Sequence, residues 1–356
     1  MRNNDTINAF LALVSSGLWE KGARLSQFVE VDYEGVLSLA EEQMVVGLVA
    51  AGIEHVTDIK VPKEIVLQFV GQSLQIEQSN MAMNHFIGVI IDKMRDEGIY
   101  ALLIKGQGIA QCYERPQWRA NGDVDLLLSD TNYPKAKKFL YSLSSGNVPE
   151  RRFSKELGLI IAPWFVELHG TQRTGLSTRV DKVIDTAQRR VFYDGNVRSW
   201  MNGNTQIFLP AADEDVFFVF THFVKHFYKE GGVSLRQLCD WCRLMWRYKD
   251  KIDVKLLEKR LGKSGLLEEW QGFATVAVDY LGMPVEAMPM YSANKTRRKQ
   301  AESILAFILK SGKWRGFKDT LSVGRIFPLN TFKFLPGILF SATWLKVKER
   351  FFGMYE

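Results

Sequence analysis

Residues 101–130 read ALLIKGQGIAQCYERPQWRANGDVDLLLSD. The stretch opens on a short apolar run, turns at Lys105-Gly106, and passes through a short helix and a loop holding Arg119. It closes on Gly122-Asp123-Val124-Asp125, followed directly by Leu126, Leu127 and Leu128. Short apolar runs bounded by glycine turns read as buried strands. Alternate side chains of a strand share a face, so Asp123 and Asp125 point the same way. Neighbouring carboxylates repel unless something positive lies between them. One reading is a divalent cation, and oxygen-only ligands favour Mg2+ or Mn2+. The other is a strand edge with two solvated acids. The three leucines favour the cation, because they carry the strand into a core. Upstream, the N–H groups of the Lys105-Gly106 turn and the Lys105 side chain suit a phosphate.

A third carboxylate is expected from a neighbouring strand. Glu167 fits, as a lone acid in the apolar run Trp164-Phe165-Val166-Glu167-Leu168-His169. Burying it unpaired would be costly. A strand-edge Glu paired to an Arg is the alternative. His169 shares the face of Glu167 and is either a partner to the acids or a satisfied sheet residue. Further along, His222 and His226 stand four residues apart, which puts both on one helix face. Arg236 and Asp240 repeat that spacing on the next helix. These four residues read either as a wall that closes over a ligand or as a polar network joining two helices. Arg119 reads as a phosphate ligand, a brace for the acidic loop, or a structural salt bridge.

The 356 residues are 46% hydrophobic and 24% charged, with a net charge of +6, which describes a globular chain that tolerates an anionic ligand. Three cysteines cannot form a disulfide framework and suit a reducing compartment, so a cytoplasmic location is expected. No signal peptide or transmembrane run is evident. Cys239 and Cys242 fall inside a predicted helix without a second ligand pair and read as buried thiols, and Trp241, Trp246 and Trp270 as core. Hydrophobic periodicity divides the chain into four parts: an N-terminal helical region, 1–98; a mixed core, 99–210; a C-terminal helical lobe, 211–315; and an aromatic and basic tail, 316–356. In the core, strands are expected at 99–104, 123–128, 157–161, 164–169 and 206–209, with helices at 132–144 and 181–186. The fold class is α+β, a small mixed sheet between helical segments. The tail, with Lys333, Lys346, Lys348 and Arg350, reads as an interfacial membrane helix or as a segment packed on the body or a partner. No basic helix interleaved with exposed aromatics marks a nucleic-acid interface.

Lys105-Gly106, Tyr113, Pro116, Arg119, Gly122-Asp123-Val124-Asp125-Leu126 and Glu167-Leu168-His169, in this order and spacing, resemble an uncharacterised bacterial nucleotidyltransferase family of the polymerase-β-like superfamily. The resemblance covers roughly residues 80–250. It implies that Asp123, Asp125 and Glu167 bind two metal ions, Mg2+ or Mn2+, and are catalytic. It implies that Lys105 and Gly106 hold the phosphates of a nucleoside triphosphate such as ATP. It also implies a helical His and Asp signature, matched by His222, His226, Arg236 and Asp240, in a second lobe that covers the nucleotide. The expected reaction moves a nucleoside monophosphate to an acceptor and releases pyrophosphate. The acceptor stays open between a small molecule, a sugar, a protein and RNA. A silent nucleotide- or partner-binding module of the same fold is the alternative. The chain departs from the family at Glu114, where proline often stands, and at Gly170, where an aromatic often stands.

Overall fold

The computed structural model describes residues 3–151, 154–229, 232–310 and 317–336. Four helices precede the sheet: α1 (Asn4–Trp19), α2 (Tyr33–Glu42), α3 (Val46–Glu54) and α4 (Lys63–Asp96). Asn3 and Asp32 accept from the Thr6 and Gly35 N–H groups, so each caps a helix start with a side-chain oxygen. Helices α1 and α3 cross at glycines. A Cβ at Gly17 would lie 1.9 Å from the Leu48 carbonyl oxygen, and one at Gly52 would lie 2.1 Å from that of Leu13. Pro62, which cannot donate a hydrogen bond, precedes α4, a single helix of 34 residues.

The central elements are β1 (Ala101–Ile104), α5 (Gly106–Ala110), β2 (Val124–Leu128), α6 (Asn132–Leu143), β3 (Gly146–Arg151), β4 (Glu156–Ile161) and β5 (Trp164–His169). The strands form one sheet in the order β1-β2-β5-β4-β3. Only β2 and β5 pair in parallel; the other neighbours are antiparallel. Alternation sorts the two faces. Leu103, Leu126, Leu128, Val166 and Leu168 share a core with Met83, Ile87 and Ile91 of α4 and Ala136 and Leu140 of α6. The opposite face sends Leu102, Ile104 and Leu127 into the core of the helical lobe. Asp125 lies on that second face, and the register places it between Ile104 and Glu167.

After the sheet come α7 (Thr178–Tyr193), the hairpin β6 (Val197–Asn202) and β7 (Thr205–Pro210), then α8 (Ala212–Lys229), α9 (Leu235–Arg247), α10 (Val254–Ser264), α11 (Leu267–Leu281), α12 (Lys295–Lys310) and α13 (Phe317–Ile326). Helix α8 is the axle of this lobe: Phe217, Phe220, Phe223 and Phe227 are fully buried. Phe220 meets Trp270 at 4.9 Å between ring centroids, and Trp241 meets Trp270 at 4.7 Å, both edge-on. Such pairs add about 0.5–1.5 kcal/mol beyond area burial. The Ser234 N–H donates to Gln237 Oε1 at the start of α9. Cys239 and Cys242 are free, fully buried thiols, and burial pushes both upward in pKa.

The α+β class is as expected, with four additions. Strand β3 carries Asn147, Pro149 and Glu150 and lies at a sheet edge, where proline costs no ladder bond. Strand β6 is half polar and gains its pairing from β7. Helix α7 is much longer than 181–186, because Val180, Ile184, Ala187 and Val191 form one buried stripe. Helix α12 was not anticipated. The described start of the tail packs on the body, with Phe327 and Phe334 buried. Lys346, Lys348 and Arg350 lie outside the described residues. Among the described residues no helix is long and apolar enough to cross a membrane.

Candidate active site

The sheet assembles the acids. In parallel register Asp125 stands beside Glu167, and His169 beside Leu127. Asp125 Oδ1 accepts from Lys105 Nζ at 2.9 Å and from His169 Nε2 at 2.7 Å. His169 Nε2 also lies 3.3 Å from Glu167 Oε2. Asp125, Glu167 and His169 each offer a ligand atom, all within 4.8 Å of one another. Asp123 falls outside that group but lines the same cleft.

Charge follows position. Burial works against ionised Asp125, but Lys105 and His169 outweigh it and hold its carboxyl below the usual range. Burial likewise opposes charged Lys105, and Asp125, Glu167 and Asp123 raise its pKa on balance. His169 is raised too: burial and Lys105 resist the proton, while Asp125 and Glu167 hold it. Asp123 moves the other way from its neighbour. The Asp125 charge, then burial, pushes its carboxyl up to about 6. So three carboxylates share one ammonium and one imidazole, and Asp123 bears the surplus negative charge. A mainly oxygen donor set with surplus charge fits a hard divalent cation, and His169 adds a nitrogen donor once it gives up its proton.

Lys105 reaches Asp125 from a strained turn. Its φ is 56° and ψ −150°, and Gly106 follows at φ 40°. That region is nearly closed to side-chain-bearing residues and costs about 1–3 kcal/mol. Glycine at 106 takes the second positive φ without a Cβ penalty.

The facing wall comes from α8 and α9. His222 and His226 meet at 2.9 Å between Nε2 atoms, so one ring donates and the other accepts. Burial first, then Lys105 and neighbouring cations, hold His222 well below its usual pKa, hence neutral. Arg236 Nη1 donates to the carbonyls of Ala120 and Asn121 at 3.1 and 3.3 Å. Its Nε is buried without a partner, and among the described residues it makes no ion pair. Arg119 and Asp240 are committed to each other. Nε and Nη2 of Arg119 donate to the two Asp240 oxygens at 2.7 and 2.6 Å, and the Tyr113 hydroxyl donates to Oδ1 at 2.7 Å. Of the three readings of Arg119, the geometry is that of a salt bridge that also braces the loop before Asp123.

One cleft of about 290 Å³ is lined by Lys105, Gly106, Arg119, Asp123, Asp125, Glu167, His222, His226, Arg236 and Asp240. Arg151, Arg173, Lys225 and Gln237 line it as well. Sequence reasoning did not single out these four; Arg151 and Arg173 are exposed, Lys225 and Gln237 half-buried, and no local pattern marks them. The two departures have structural reasons. Glu114 pairs with Arg243 Nη2 at 2.8 Å. A Cβ at Gly170 would meet Lys155 Cβ at 2.7 Å, so an aromatic does not fit.

A family described as uncharacterised nucleotidyltransferase matches residues 29–282. The chain belongs to that family. The matched segment begins just before α2 and ends just after α11, so every residue named for this cleft lies within the family's span. No curated protein matches the chain. Among solved structures, an antigenic nucleotidyltransferase-like protein from Paracoccidioides brasiliensis is similar at 11% identity and a TM-score of 0.33. The likeness covers 56% of this chain and 92% of that one.

Proposed function

We propose that this chain transfers a nucleoside monophosphate from a nucleoside triphosphate to an acceptor hydroxyl or phosphate. The acceptor oxygen bonds to the α-phosphorus and pyrophosphate leaves. One observation carries the reading: Asp123, Asp125 and Glu167 converge with the Lys105-Gly106 turn on one wall of a single cleft. Family membership supports it. Asp125, Glu167 and His169, with Asp123 beside them, would hold Mg2+ or Mn2+. Bound there, divalent cations would neutralise the reacting phosphate and lower the pKa of the acceptor hydroxyl. Gly106 would let the backbone approach the phosphates. Lys105 and unpaired Arg236 would offset their charge from opposite walls. The His222–His226 pair would narrow the cleft and limit water. Arg119 and Asp240 would act by holding the acidic loop rather than by touching the nucleotide. Three buried free cysteines fit the cytoplasmic location we propose.

Calorimetric titration with Mg2+ and each of four nucleoside triphosphates tests the site. Metal-dependent binding that falls at least tenfold in Asp123→Asn supports it. Indistinguishable binding by the two proteins, or none, contradicts it. Pyrophosphate release on adding acceptor separates turnover from a silent binding module.

A further inference from the structure

We infer that Lys105 is a displaceable counter-ion, which pairs with the acids of the cleft and moves to the triphosphate when nucleotide and metal enter. The inference rests on the reading of the cleft as a metal and nucleotide site, and deepens it by assigning that site an order of events.

Three observations meet at this residue. First, Lys105 Nζ sits 2.9 Å from Asp125 Oδ1, among the oxygens that a cation would use. The same oxygen also accepts from His169, so both hydrogen bonds of Asp125 converge on Oδ1. An ammonium and a divalent cation on one carboxylate repel each other strongly at this range in a part-buried setting. A metal ion therefore enters at the expense of the Lys105 contact. Second, the ammonium hangs from a four-carbon stem, and its contact is a single point rather than a bidentate fork. The buried guanidinium of Arg119, held at two points by Asp240, has no such freedom. Third, the backbone at Lys105 is held at φ 56° beside Gly106 at φ 40°. The turn fixes the root of this side chain beside Gly106, so Nζ can leave Asp125 by rotation of the stem with the backbone unchanged.

The consequence is thermodynamic coupling. The triphosphate offers Nζ a new partner and thereby vacates Asp125 for the metal; the metal, by repelling Nζ, offers it to the triphosphate. Each ligand then favours the other to the same degree. Metal alone must evict the ammonium from Asp125 with no phosphate to receive it, and so binds weakly.

The test compares Mn2+ binding without nucleotide, read by the loss of the free-ion electron paramagnetic resonance signal, in wild type, Lys105→Gln and Lys105→Arg. ATP binding without metal is read by calorimetry on the same proteins. The inference expects Lys105→Gln to bind Mn2+ at least fivefold more tightly and ATP at least fivefold more weakly. Lys105→Arg should bind Mn2+ like wild type, because it keeps a cation on Asp125. A Lys105→Gln protein that binds Mn2+ no more tightly than wild type overturns the inference and leaves the metal site standing. Should the variants fail to fold, wild-type crystals soaked in Mn2+ and α,β-methylene-ATP decide it. Nζ within 3.2 Å of Asp125 with both ligands bound is the overturning result, and Nζ on the phosphates the supporting one. Wild type that takes up neither Mn2+ nor ATP overturns both this inference and the proposed function.

Discussion

At the scale of single residues, the Arg119–Asp240 pair has a large stake in stability. Both side chains are buried, at 5% and 6% exposure, so removing one charge strands the other in the interior. Asp240→Ala is expected to lower unfolding free energy by about 3–5 kcal/mol, measured by denaturant titration. The Arg119→Met, Asp240→Leu double variant should recover most of that loss, because neither charge is then left alone. A small effect of Asp240→Ala would mean that water reaches the pair. The same residues mark what a sequence can tell. Asp123 and Asp125 were legible because a strand repeats every two residues, and Glu167 because a lone acid in an apolar run needs a reason. The partner of Arg119 was not, since Asp240 lies 121 positions away and is brought near only by the docking of α9. Lys105 was legible as a cation near acids, but its seat on Asp125 depends on the register of β1 against β2.

At the scale of elements, two contacts make sharp predictions. The crossing of α1 and α3 leaves no room for a side chain: a methyl at Gly17 would be 1.9 Å from the Leu48 carbonyl oxygen. Gly17→Ala should therefore destabilise the chain by about 1–3 kcal/mol, seen as a lower Tm, although alanine is the better helix former. Glu269 on α11 is fully buried and accepts from Tyr228 of α8 and Asn330 of the following segment. Burial raises its carboxyl to about 7 against the pull of those hydrogen bonds. The folded state thus binds this proton more tightly than the unfolded chain, where the pKa is about 4.3. Below that value the group does not disfavour folding; its contribution is lost as pH rises through 7. Glu269→Gln should flatten stability between pH 5 and 8 relative to wild type and gain up to about 3 kcal/mol at pH 8. An unchanged slope would show that Glu269 ionises freely. Helix α8 was legible from its recurring apolar residues and acidic first turn, although it is buried almost all round. The short polar strands β3 and β6 were not, because their pairing comes from a neighbour and not from their own pattern.

At the scale of the whole molecule, the sheet supplies the acids and the helical lobe supplies the cationic and imidazole wall. The parallel pairing of β2 with β5 sets Asp125 beside Glu167, and α8 and α9 set His222, His226 and Arg236 opposite. The fold class could be read from alternating periodicities, yet the closing of the lobe onto the sheet depends on packing between segments far apart in sequence. If this arrangement is a nucleotidyl-transfer site, its parts must engage one ligand together. The most direct measurement is a crystal structure of the protein soaked with Mn2+ and α,β-methylene-ATP, with anomalous scattering used to find the metal. The expected result is Mn2+ on the carboxylates of Asp125 and Glu167 and the triphosphate against Lys105-Gly106 and Arg236. Metal or nucleotide bound elsewhere, with Asp125 and Glu167 untouched at saturating concentrations of both, would contradict it.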